Sequence, residues 1–145
     1  MMAQYFELQC PSHSENVGMC RVAVSTFAAN LGFSLSEIEE IKVAVSEAVS
    51  NVVVHAYPGT EGIVRLRCDA EEGDAGIVIS VQDDGIGIAD LEQARQASYS
   101  TDPERMGLGF VFMESFSDEF FVESAPRQGT KIRMCKRREA PAEEA

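Results

Sequence analysis

Residues 34–57 carry one unbroken helical pattern, and whatever fold the chain adopts must bury one side of that helix. Ser34 followed by Glu37 makes a capping-box signature at its start, and Pro58-Gly59 supplies the stop. Leu35, Ile38, Ile41, Val45, Ala48 and Val52 recur at intervals of three and four, which predicts the buried stripe. Glu39, Glu40, Lys42, Ser46 and Ser50 make the wet side. On the flank between them stand Glu47, Asn51 and His55, whose spacing of four places them along one helical face. Core formation alone has no use for an acid, an amide and an imidazole in a row. A site does.

The rest of the chain reads as the surface that this helix covers. Residues 4–10 alternate as a first strand, which Pro11 and Ser12 break. Ser12 or Ser14 caps a first helix, whose core stripe is Val17, Cys20, Val24, Phe27 and Leu31 and which closes at Gly32. Met19, Arg21 and Val22 fall off that stripe and suggest a second contact surface. Residues 62–68 and 76–83 form a hairpin about Glu72-Gly73-Asp74, with Val64, Leu66 and Cys68 inward and Arg65 and Arg67 outward. On the second of these strands Ile77, Ile79, Val81 and Asp83 share a face, because strand side chains alternate with period two. An aspartate in line with three core residues needs something to bind.

Residues 89–96 read as a short acidic helix or turn, and 97–106 as a loop without periodicity. An apolar helix follows at 110–116, then a closing hairpin of residues 120–124 and 129–135 in which Thr130, Ile132 and Met134 face one way. The pattern places a single domain at residues 1–136 and a charged tail at 137–145, too polar to order itself.

Charge and cysteines narrow the function classes. A net charge of −12 argues against general nucleic-acid binding, since the phosphate backbone would repel it. Cys10, Cys20, Cys68 and Cys135 show no CxxC and no paired metal-ligand spacing, which predicts buried free thiols. No signal-peptide pattern opens the chain, and no apolar run approaches the ~18 residues that span a membrane, so a cytoplasmic protein is expected.

Three separated elements carry the chemistry: the Glu47/Asn51/His55 flank, the loop Asp83-Asp84-Gly85-Ile86-Gly87, and Gly107-Leu108-Gly109. Glycine loops let backbone approach a ligand closely, and the second precedes a helix whose N–H groups can hold phosphate. The chain has no Gly-Lys-Ser/Thr phosphate loop and no glycine-rich turn after a first strand, which speaks against Walker and Rossmann sites.

In this order and spacing the elements resemble the N box and the two glycine boxes of the GHKL ATP-binding superfamily, which includes gyrases, chaperones and histidine kinases. The segment from Glu40 to Asn51 with His55-Ala56-Tyr57 resembles the small anti-sigma-factor serine kinases. The run from Gly87 to Gln96, Gly107-Leu108-Gly109-Phe110 and Met113-Glu114-Ser115-Phe116 resemble those of spore-forming bacteria. Val52 stands where that family often has alanine. The resemblance implies an α+β fold: a two-layer sandwich of the GHKL (Bergerat) type, its sheet mixed but mostly antiparallel, with helices on one face.

It also implies ATP and Mg²⁺ as cofactors, a sporulation-type sigma factor as the inhibited partner, and an anti-anti-sigma protein whose serine is phosphorylated. A homodimer through a sheet edge is the family's habit, and neither nucleic acid nor membrane is a direct partner. Within that frame Asp83 accepts a hydrogen bond from the adenine amino group, Gly85 and Gly87 give backbone access beside the base, and Thr130 completes the adenine network directly or through water. Asn51 offers a neutral oxygen to Mg²⁺. Glu47, one turn earlier, takes or orients the proton of the attacking serine. Gly107 and Gly109 line the phosphates, Arg105 neutralises charge at the γ-phosphate, and Arg21 contacts the partner. His55 is expected to be structural, at the helix end; the loop residues Ser98, Ser100 and Thr101 either touch phosphate or favour loop structure.

Three other readings fit less well. A general-stress kinase of the same family shares all three boxes. An ATP-gated sigma-binding module without phosphotransfer would not need Glu47. A histidine-kinase catalytic domain would need a dimerising helix pair, for which 145 residues leave no room.

Overall fold

The computed structural model describes residues 2–71, 73, 75–92, 94 and 109–139. Strand β1 (Tyr5–Pro11) leads into helices α1 (Glu15–Asn30) and α2 (Leu35–Asn51). The hairpin of β2 (Ile63–Ala70) and β3 (Gly76–Asp83) follows, then helix α3 (Phe110–Phe116) and the hairpin of β4 (Glu119–Ser124) and β5 (Thr130–Arg137). The five strands form one sheet in the order β1-β2-β3-β5-β4. This is the α+β sandwich that the resemblance implies.

Period-two burial decides which face the helices cover. Val64, Leu66 and Cys68 of β2, Ile77, Ile79 and Val81 of β3, and Ile132 and Met134 of β5 join the core with Ile41, Val45, Ala48 and Val49 of α2. Phe6 of β1 reaches Phe27 of α1, ring centroids 5.3 Å apart. Arg65, Arg67, Lys131 and Arg133 lie on the opposite face, where Arg67 stacks on Tyr5 and Arg133 on Phe121. All four cysteines are free and buried. Burial and the neighbouring Cys10 push the Cys20 thiol up to about 12, so it stays protonated at neutral pH.

Four details depart from the sequence reading. Every strand pairing is antiparallel, so the sheet has no mixed character among the described residues. Strand β4 does run in the direction of β3, but β5 lies between them. Pro11 completes β1 rather than breaking it, as an edge strand tolerates a missing N–H. Leu35 is 83 % exposed, because Glu37, 5 % exposed, takes the inward position of the first turn. Finally, the α-helix stops at Asn51 and a π turn (Val52–Ala56) carries the chain to Tyr57.

At the C-terminal end β5 runs through Arg137, and the Glu139 N–H donates to Glu37 Oε2 at 2.9 Å. That takes the ordered contacts past residue 136, where the sequence pattern ends the domain. Residues 140–145 lie outside the described part.

Candidate functional site

The end of α2, the π turn and the ends of β3 and β5 line a narrow cavity, open on one side. Ala48, Val52, Ala56, Val81, Ile88, Phe110 and Ile132 make its apolar wall, and Asn51, His55, Asp83 and Thr130 bring the polar groups. An apolar slot with a few convergent polar atoms is the usual form of a small-molecule site. Asn51 is 8 % exposed and Asp83 5 %, so neither is a solvated surface residue. Both stand where the sequence pattern put them: Asn51 on the inner flank of α2, Asp83 in line with Ile79 and Val81.

Burial raises the Asp83 carboxyl above the usual carboxylate range. The backbone N–H of Gly85, at 2.8 Å, and that of Thr130 donate to the carboxylate and oppose the shift only in part. Arg65 pulls the same way from outside, while pairing with the neighbouring Asp84. Asp83 therefore keeps acceptor capacity in a poorly solvated place. Thr130 lies directly across from it in the β3–β5 register.

The first glycine loop is braced from two sides. Ile86 N–H donates to Ala56 O at the end of the π turn, 2.9 Å away. From the β4–β5 hairpin, Gly129 N–H reaches Gly85 O at 3.1 Å and Arg127 N–H reaches Ile86 O. Tyr57 adds a third tie, its hydroxyl accepting from Asp84 N–H at 2.9 Å and donating to Ile63 O at 2.8 Å. A Cβ at Gly85 would strike the Ala56 carbonyl, and one at Gly87 (φ +74°) the Ala125 carbonyl. Glycine at 85 thus serves close packing of loop on helix; Gly87 does so too and lines the cavity as well.

Glu47 sits half-buried one turn before Asn51. Gly109, in the left-handed region at φ +62°, faces it so closely that a side chain there would collide with its carboxylate. The structure thus brings together Glu47, Asn51, Asp83, Gly87, Thr130 and Gly109, with Gly85 behind the loop. Arg21 stands apart on α1, its guanidinium donating to Ser46 of α2 at 3.2 Å beside the exposed Met19 and Val22. Arg105, Gly107, Ser98, Ser100 and Thr101 lie outside the described residues.

His55, expected to be structural at the helix end, also lines the cavity, and its Nε2 is buried with no hydrogen-bond partner among the described residues. The spacing of four from Asn51 was the available signal. Ser124 was missed outright, since nothing in a lone strand serine announces a bridging role.

Residues 10–136 match the family described as the histidine kinase-like ATPase domain. The fold, the slot and this match define the class: the chain belongs to the histidine kinase-like ATPase family. Within it the chain is a member of the anti-sigma F factor family. It is 43 % identical over 142 residues to the anti-sigma F factor of Pasteuria penetrans, covering 97 % of this chain and 95 % of that one. It is also 44 % identical to that of Clostridium novyi (94 % and 96 % covered) and 40 % identical to that of Bacillus subtilis (93 % of each). Among solved structures, a Mycobacterium tuberculosis chain with RsbU and RsbW domains superposes with a TM-score of 0.69 at 20 % identity, covering 96 % of this chain and 34 % of that one. A blue-light activated histidine kinase of Erythrobacter litoralis gives a TM-score of 0.55 at 18 % identity, covering 86 % of this chain and 60 % of its kinase domain structure. These last two likenesses are of fold.

Proposed function

We propose that this chain binds ATP in the cavity between α2 and the sheet, inhibits a sporulation-type sigma factor, and phosphorylates a serine of that factor's anti-anti-sigma antagonist. One observation carries the reading: Asn51 of α2 and a buried aspartate line one apolar slot, and Glu47 stands one turn before Asn51 against Gly109. The residues fit the nucleotide. The apolar wall suits a purine, and Asp83 and Thr130 offer acceptors to an exocyclic amine. His55 Nε2 gives a further polar atom that a bound nucleotide would satisfy.

The residues also fit Mg²⁺. The amide oxygen of Asn51, which lines the cavity, is the ligand that the family pattern assigns to it. Mg²⁺ ordinarily takes the rest of its shell from phosphate and water. When bound, ATP supplies the γ-phosphoryl group and Mg²⁺ neutralises its charge. Glu47 accepts or orients the serine hydroxyl proton, a contribution of about 10²–10⁴ in rate for a positioned base. The backbone of Gly107 and Gly109 lines the phosphates, and Arg105 offsets their charge. Arg21, which makes no ion pair among the described residues and lies in a chain of net charge −12, contacts the protein partners. A second copy joins at a sheet edge, β1 or β4.

No described helix is long and apolar enough to cross a membrane. The test is phosphoserine formation on an anti-anti-sigma protein with Mg-ATP, followed by mass spectrometry. Glu47→Gln should slow it by about 100-fold or more while keeping ATP affinity. Serine phosphorylation at the normal rate would show that Glu47 is not the base.

A further inference from the structure

Ser124 does not touch the cavity, yet its hydroxyl is the hub of the wall beside Asp83. The N–H of Ile88, just past the first glycine loop, donates to Ser124 Oγ at 2.7 Å. Ser124 Oγ lies 2.8 Å from the Gly129 carbonyl and 2.8 Å from Thr130 Oγ1. A hydroxyl has one proton to give and two lone pairs with which to accept. A carbonyl oxygen can only accept, so the Ser124 proton goes to Gly129 O. One lone pair is filled by Ile88 N–H, and the other takes the Thr130 proton. Thr130, which lines the cavity, is left with only lone pairs to offer from Oγ1.

We infer that Ser124 is a positioning residue that sets the choice of base, by fixing the Thr130 hydroxyl as an acceptor. This rests on the nucleotide reading above and adds its specificity. Asp83 and Thr130 then form an acceptor pair, which suits the amine of adenine and repels the carbonyl oxygen that guanine carries at the same place. Buried polar groups left facing the wrong partner are what make such discrimination strong. A Thr130 hydroxyl free to rotate could donate to the guanine oxygen and would lose that selectivity.

The experiment measures ATP and GTP dissociation constants by calorimetry for the full chain and its Ser124→Ala variant. The wild type should prefer ATP, and Ser124→Ala should narrow the ATP/GTP ratio by about tenfold, the scale of one hydrogen bond. A role confined to bracing the fold would weaken both nucleotides alike and leave the ratio unchanged, which would overturn the inference. Ser124→Thr, which keeps the hydroxyl, should restore the ratio. In a Thr130→Val background Ser124→Ala should no longer move it; a further change there would place the effect elsewhere. Should the wild type bind neither nucleotide, the nucleotide reading itself falls and the inference with it. Preference for ATP with a ratio insensitive to Ser124 would sink the inference alone.

Discussion

Burial disfavours the charged form of the Asp83 carboxyl. Burial raises its native pKa above the unfolded value of about 3.9, so the native state binds the proton more tightly. The stability this contributes is fully present below that unfolded value and is lost as pH rises through the raised native one. Ionisation of the carboxyl therefore weakens the nucleotide-free protein. Asp83→Asn should raise the urea midpoint at pH 7, and the gain should vanish as pH falls below both values. Nucleotide affinity has the opposite dependence. Wild-type ATP binding, followed by calorimetry, should fall on acidification at a pH above the ordinary aspartate value, because a protonated carboxyl no longer accepts freely from the adenine amine. A midpoint lowered by Asp83→Asn at pH 7 would contradict the assignment of burial as the cause. Asp83 was legible from sequence because period two admits no reason for an acid among Ile77, Ile79 and Val81. His55 was legible in place and not in role, since spacing fixes a face and says nothing of whether a ring nitrogen finds a partner.

At the scale of elements, the start of α2 shows where a pattern misleads. Ser34 and Glu37 form the capping box that the sequence signals, with Glu37 Oε1 accepting Ser34 N–H at 2.7 Å and Ser34 Oγ accepting Glu37 N–H at 3.2 Å. The signal did not show that Glu37 also receives the N–H of Glu139 from the far end of the chain. Burial pushes the Glu37 carboxyl up, but the Ser34 and Glu139 N–H groups, with Lys136 nearby, outweigh it and hold the pKa below the usual range. Its stabilisation is therefore present above the unfolded value of about 4.3 and lost as pH falls through the lowered native one. Glu37→Ala should cost about 1–2 kcal/mol at pH 7, read from urea unfolding, and progressively less in acid. Leu35, two residues before the buried Glu37 and so about 200° from it around the helix, faces solvent. The π turn after Asn51 was not legible. The run Val52-Val53-Val54 fits an α-helix by pattern, and only its carbonyl contact with the glycine loop shows the use of the wider turn.

Across the whole molecule, the sheet turns three distant stretches of chain into one site. Order and spacing of the boxes disclosed the family and the fold, because alternation and helical period survive translation into structure with little ambiguity. Longer-range braces were hidden. The hairpin that holds Gly85 and Ile86 through Gly129 and Arg127 depends on how β4 and β5 fold back beside β3, which no local pattern encodes. The second glycine box is seen only at Gly109, so Arg105 and Gly107 rest on the family pattern alone. Everything proposed for catalysis presupposes that an adenine nucleotide occupies the slot over Asp83. Titration of ATP with Mg²⁺ into the full chain and into Asp83→Asn, by calorimetry, addresses that most directly. The expected result is one ATP per wild-type chain and no detectable binding to Asp83→Asn, with cooperative unfolding retained in both. An Asp83→Asn protein that bound ATP as tightly as the wild type would contradict the placement of the nucleotide in this cavity.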